Sequence, residues 1–308
     1  MHKIASRLER KRWLVDKRSL PLYLIMLPAL VYFIVYRYVP MAGLIMVFKK
    51  YRITRGILAS PWCGLDNFIT LFSSPSFGLI LRNTILISFY KLLFAFPAPI
   101  IAALMLNALK SRAYKRTLQT ALYLPHFISW VVLGSLVFTF FAPSSGVLTQ
   151  YLSNTFGISL NLMMDPTKFR SLLVGSDIWK EVGWGSIIYL ATLVGIDATL
   201  YEAAVMDGAS KRQQLWYITM PCLVPTIMTM LLLRVVRILD AGFEQIYVLQ
   251  NPLVYDVSEI IDTYVYKLAF SQGQHAVGAA AGLFKSVIGL MFVLGTNQLA
   301  KSFDQEVL

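Results

Sequence analysis

Arg234, Arg237 and Asp240 recur at intervals of three, and Glu244 follows four further on, in a largely apolar part of the chain. Residues three and four apart share a face of a helix, so on one helix these four form a polar stripe. At about 1.5 Å per residue, Arg234 lies about 20 Å beyond Pro221, past the midplane of a bilayer. Charged groups at that depth are costly and need a reason. Two readings stand: the stripe lines a wet pathway, or its members pair with one another or snorkel to the outer interface. A second constellation is Trp179, Lys180, Glu181 and Trp184. Aromatic faces beside polar groups suit sugars, whose C–H faces stack on rings while their hydroxyls hydrogen-bond. The same residues also suit an interfacial aromatic belt. Trp130, Tyr189 and Lys285 are further candidates for a substrate pathway.

Signatures of catalysis are missing. There is no His-Glu-x-x-His, no Gly-x-Ser-x-Gly and no facing pair of aspartates. His2, His126 and His275 lack ligand spacing, and Cys63 and Cys222 read as two unpaired thiols rather than a metal pair or disulfide. No cofactor site is expected on this chain.

The elements that must carry these residues are membrane helices. The chain is 57% hydrophobic and 14% charged, against roughly 25% charged in soluble domains. Its net charge of +12 does not point to nucleic acid, because the basic residues gather between apolar runs. Six stretches approach the roughly 20 apolar residues a crossing needs: Leu20–Val47, Asn83–Leu109, Thr120–Phe141, Leu172–Ile196, Cys222–Leu239 and Ala276–Leu299. They are too long for barrel strands, so the expected fold is an all-α integral membrane protein of six helices. The first stretch lacks a small-residue cleavage site and reads as a retained span. Gly278 and Gly282 form a small-xxx-small pair for close helix packing. Lys and Arg are about twice as frequent on the side holding both termini, which is expected to be cytoplasmic. The loop with Lys49, Lys50, Arg52 and Arg55 is an exception on the outer side. The expected organisation is a basic tail over 1–19, a first helix and outer loop over 20–81, a five-helix core over 82–300 and a short tail over 301–308.

One inner connection, residues 197–221, is long and reads as helical. Glu202, Ala203 and Ala204 favour helix. Gly208 is placed to end it in a left-handed turn. Ser210 is placed to cap the next helix, with Gln213 three residues on completing a capping box. Pro221 is expected to close that second helix and open the fifth span. Two alanines after a glutamate leave a thin face that another protein can approach.

Glu202-Ala203-Ala204, Gly208, Ile218 and Pro221 stand at the spacings of the coupling-loop signature of binding-protein-dependent ABC importer permeases, which this chain resembles; Met220 replaces the usual Leu. The resemblance runs over most of the chain. Gly64-Leu65-Asp66-Asn67-Phe68 and Asn83-Thr84 look like the sugar-importing permeases. Tyr123 to Trp130, Trp179 to Trp184 and Asp262 to Tyr266 resemble the oligosaccharide and polysaccharide branch. It implies an ABC importer permease fold with a cytoplasmic coupling helix, in which Glu202, Ala203, Ala204, Asp207, Gly208, Ala209, Ile218 and Pro221 meet an ATPase. It also implies a multi-pass protein of a bacterial cell membrane, surrounded by lipid. The implied partners are a second permease subunit forming a heterodimer, two copies of the ATPase and an extracytoplasmic solute-binding protein. This chain has no phosphate-binding Gly-x-x-x-x-Gly-Lys-Ser/Thr loop, so ATP and magnesium belong to the partner ATPase and this subunit is not an enzyme. The competing expectations are a secondary carrier driven by an ion gradient, which calls for pseudo-symmetric broken helices, and an ABC permease for a non-sugar solute.

Overall fold

A computed structural model describes residues 20–158 and 160–301. The expected tail over 1–19 and most of that over 301–308 lie outside the described residues. The chain divides into two compact units, Met1–Asn67 and Phe68–Leu308.

The first unit holds helix α1, Pro21–Phe48, whose apolar window is wholly exposed within this chain. Lys49 pairs with Trp62 in an isolated antiparallel bridge. The Lys49 ammonium is buried, donates to the carbonyls of Ile57 and Leu58 at 2.9 Å each, and lies over the Trp62 ring. This accounts for part of the basic excess in the loop expected to lie on the outer side. One of its four cations satisfies carbonyls and is not a free surface charge. Asn67 clamps the other end by donating to Val47 O at 2.7 Å and Lys49 O at 3.0 Å, and Gly64 supplies a turn at φ 60°.

The second unit is a set of packed helices: α2, Phe77–Ala108; α3, Arg112–Phe127; α4, Trp130–Phe141; α5, Val147–Phe156; α6, Pro166–Val194; α7, Ala198–Met206; α8, Lys211–Val236; α9, Phe243–Leu249; α10, Ile261–Tyr266; and α11, His275–Lys301. Among the described residues four unbroken helices are long and apolar enough to cross a membrane: α1, α2, α8 and α11. The pairs α3/α4 and α6/α7 bend by 104° and 65°, and bring the number to six if each is one crossing. Thus the expected third span, Thr120–Phe141, is not straight. Pro125 starts a short 3-10 turn, Ile128 is extended, and Ser129 caps α4 by accepting from Val132 N.

Proline shapes three of the unbroken helices in the same way. A π-turn at Ile34–Tyr38, Lys91–Ala95 or Leu215–Thr219 ends two residues before Pro40, Pro97 or Pro221. Proline has no N–H, and its ring crowds the carbonyl four residues back. Widening the preceding turn moves the bonds to partners five residues apart and lets the helix continue. Contrary to the expectation, Pro221 therefore does not close a surface helix and open the fifth span. Lys211 to Val236 is one helix through the proline.

Two apolar cores lie along α6. Phe169, Leu172 and Leu173 pack with Ile87, Leu133, Ile246 and Leu249 near its start. Tyr189, Leu190 and Leu193 pack with Ala103, Leu106 and Leu223 near its end. Lipid is as apolar as leucine, so such contacts hold by fit rather than by escape from water. Gly183 sets the closest approach: a Cβ there would lie 2.0 Å from Leu122 O on α3. In the small-residue pair on α11, Gly278 faces Val265 O, where a Cβ would lie at 3.3 Å, whereas a Cβ at Gly282 would meet nothing within 4 Å. Only the first of the two is needed for close packing in this chain.

Candidate functional site

The loop between α6 and α8 is built from local bonds. Asp197 caps α7, its carboxylate accepting from Thr199 N at 3.0 Å, and these hydrogen bonds hold its carboxyl below the usual aspartate range. At the other end Gly208 adopts φ 77°. Its N–H donates to Val205 O at 3.0 Å, and Ala209 N donates to Ala204 O at 2.8 Å. These two bonds satisfy the last carbonyls of the helix in a Schellman turn. Ser210 and Gln213 then form a full capping box on α8, Ser210 N donating to Gln213 Oε1 at 2.7 Å and Gln213 N to Ser210 Oγ at 3.4 Å. The Tyr201 and Thr219 hydroxyls meet at 2.9 Å, and Gln214 Nε2 donates to Ala209 O, so α7 is tied to the first turns of α8.

None of the α7 residues is buried. Glu202, Ala203 and Asp207 face outward, as do Val205 and Met206, the latter 87% exposed. Ala204 and Ala209 are half-buried at the turn, Ile218 is half-buried in the π-turn, and Pro221 is exposed on α8. The result is a rigid, capped helix with an apolar tip, held at the end of a long rod.

The other end of that rod reaches a cavity of about 1090 Å³ between α2, α4, α6 and α8. Six residues singled out from the sequence line it: Trp130, Glu181, Trp184, Tyr189, Arg234 and Arg237. Three do not. Trp179 is exposed elsewhere on α6, and Glu244 is exposed in the first turn of α9. Lys180 is buried and donates to the carbonyls of His126 and Ile128, the latter at 2.9 Å. It thereby pins the α3/α4 bend. Glu181 supports the same bend through His126, 2.8 Å from Nδ1, and the His126 ring stacks parallel on Trp184 at 4.5 Å between centroids.

The expected four-residue stripe is split. α8 ends at Val236 with Arg237 as its C-cap, and Gly242 turns the chain at φ 98° before Glu244. Asp240 pairs with Lys285 at 2.6 Å, and Lys285 also holds Asp262 at 2.8 Å. The ion-network reading therefore fits Asp240, while Arg234 and Arg237 stand on the cavity wall.

Sequence reasoning missed the most buried charge among the described residues. Lys91, 2% exposed, pairs with Asp177 at 3.0 Å and bonds Gln245 Oε1, whose amide in turn donates to Leu173 O and Ser176 Oγ. A Cβ on Gly242 would lie 2.8 Å from the Lys91 ammonium, so that glycine serves both the turn and the lysine. The signal was present: Lys91 is the lone charge between Asn83 and Leu109, and such a residue needs a partner.

Residues 95–305 match the family described as "Binding-protein-dependent transport system inner membrane component". The chain is 44% identical over 292 residues to Protein LplB of Bacillus subtilis, covering 95% of this chain and 92% of that one. It is 41% identical over 299 residues to the polygalacturonan/rhamnogalacturonan transport system permease protein YteP of the same organism, covering 97% and 93%. Among solved structures it resembles a chain of a bacterial alginate ABC transporter in complex with an alginate pentasaccharide-bound periplasmic protein. The TM-score there is 0.87 at 40% identity, over 95% of this chain and 98% of that one.

Proposed function

The chain belongs to the family of binding-protein-dependent transport system inner membrane components, and on that premise we propose that it is a permease subunit of an ABC importer for an oligosaccharide or polysaccharide fragment. The single observation that carries the mechanism is the continuity of α8. This one helix of 26 residues, about 39 Å at 1.5 Å per residue, runs from the capped loop at Ser210 to the cavity at Arg234. A partner ATPase that grips α7 moves this rod, and the rod moves a wall of the cavity.

In this reading the apolar tip around Val205 and Met206 enters a groove of the ATPase, Glu202 makes a polar contact at its edge, and Gly208 sets the angle between α7 and α8. ATP and magnesium are bound and used by that partner, and both termini lie on its side of the membrane. A second permease subunit completes the pathway, two ATPase copies drive it, and an extracytoplasmic binding protein delivers the cargo. The relatives named for polygalacturonan, rhamnogalacturonan and alginate support a carbohydrate cargo. Trp130 and Trp184 on the cavity wall are the aromatic groups for sugar stacking, one face of Trp184 being already covered by His126.

The test is reconstitution of the affinity-purified chain, with whatever co-purifies, into liposomes. An ABC permease arrives with an ATPase, and its uptake of saccharide presented by the binding protein stops without ATP. Recovery of the chain alone, with uptake driven by an ion gradient, overturns the reading in favour of a secondary carrier.

A further inference from the structure

Two carboxylates and two arginines line the cavity, Asp177, Glu181, Arg234 and Arg237, and among the described residues only the carboxylates have partners. Asp177 is paired with Lys91, and Glu181 lies 2.8 Å from His126 and 3.6 Å from Lys180. Both carboxylates on the wall are thus engaged. Arg234 and Arg237 also line it, and among the described residues neither guanidinium makes a hydrogen bond or ion pair. An arginine presents five donors in a planar fork suited to carboxylates. A helix C-terminus attracts cations, which accounts for one such residue as the C-cap, but two arginines one turn apart on the wall of the same cavity exceed that need.

We propose that Arg234 and Arg237 form an anion-reading subsite, and that the cargo is an acidic oligosaccharide whose uronate carboxylates they engage as it passes. The inference rests on the carbohydrate reading above and deepens it. Trp130 and Trp184 supply stacking that any pyranose satisfies, whereas the arginine pair discriminates by charge. Both arginines are exposed within this chain, so a neutral sugar of the same shape leaves them hydrated, whereas a uronate adds charge-assisted bonds that the neutral sugar cannot make.

The test uses the complete permease–ATPase complex in nanodiscs without its binding protein, so that the membrane site is read by itself. Trigalacturonate and its fully methyl-esterified form, the same sugar without charge, are titrated while tryptophan fluorescence is followed. We expect the acid to bind at least tenfold more tightly than the ester. The double variant Arg234→Gln/Arg237→Gln brings that ratio close to one without weakening the ester, and Arg234→Lys/Arg237→Lys keeps most of the preference. Equal binding of acid and ester, binding of neither, or a preference that survives in the Gln pair overturns the subsite. The parent reading fails separately, if the intact importer with its binding protein takes up no saccharide. Uptake of neutral saccharides as fast as acidic ones, with both slowed equally by the Gln pair, removes only the anion subsite.

Discussion

Gly208 gives the sharpest handle on the loop, because its environment separates two reasons for a glycine. Its φ of 77° lies in the left-handed region, yet a Cβ built there meets nothing within 4 Å. Within this chain the requirement is therefore conformational, not steric. A left-handed conformation costs an ordinary L-residue about 1–2 kcal/mol, more when it is β-branched, and asparagine tolerates it best. A change of 1–2 kcal/mol is a factor of about 5–30 in the population of the correctly turned loop. The series Gly208→Asn, Gly208→Ala, Gly208→Val should thus lower coupling in that order, with Asn near the wild type and Val losing most of it. The assay is ATP-driven saccharide uptake divided by ATP hydrolysed, in proteoliposomes with equal amounts of assembled complex. If all three variants fail equally, the glycine is required by close approach of a partner surface, and the conformational reasoning is refuted.

Other expectations follow from buried contacts. Lys91→Met leaves Asp177 without its cation, and breaking a buried pair in this way costs about 3–5 kcal/mol; the double variant Lys91→Met/Asp177→Leu should recover most of it in thermal unfolding of the purified complex. Gly183→Ala should reduce assembly, because its Cβ would be driven against Leu122 O and overpacking costs about 1–3 kcal/mol; Gly282→Ala, with open space around it, should behave as wild type in size-exclusion yield. Asp197 has its carboxyl held low by hydrogen bonds to Thr199, so its cap is present above the ordinary aspartate range and is lost as pH falls through the depressed value. Coupling should be flat from neutral pH down to about pH 5 and weaken only below about pH 4, and Asp197→Asn, which caps without titrating, should remove that part of the acid loss.

Features carried by neighbours in the chain were legible from the residues. Ser210 and Gln213 are three apart, and Gly208 follows an Ala-rich helix, so capping and turn chemistry act without help from the rest of the fold. Features set by distant partners were not. Lys91 and Asp177 are 86 positions apart, and Lys180 meets carbonyls more than 50 positions away. Spacing alone could not say that Arg237 ends α8 while Asp240 turns to Lys285, because a run of threes reads as one face only while the helix lasts. Pro221 misled for the opposite reason. Proline is a fair sign of a helix boundary, and here a π-turn just before it absorbs the missing bond.

The central claim, that α7 is the ATPase contact on the cytoplasmic side, is tested most directly by cross-linking. In a background with Cys63→Ser and Cys222→Ser, a cysteine is placed at Met206, 87% exposed at the tip of the loop, or at Leu58, 88% exposed in the loop that follows α1. A short bis-maleimide is then applied to membranes holding the whole complex. We expect Met206→Cys to cross-link to the ATPase, to be shielded in intact cells from a membrane-impermeant maleimide and, once linked, to stop ATP-driven uptake. Leu58→Cys should label from outside and never link to the ATPase. Labelling of Met206→Cys from outside, or a linked complex that still transports at full rate, would contradict it.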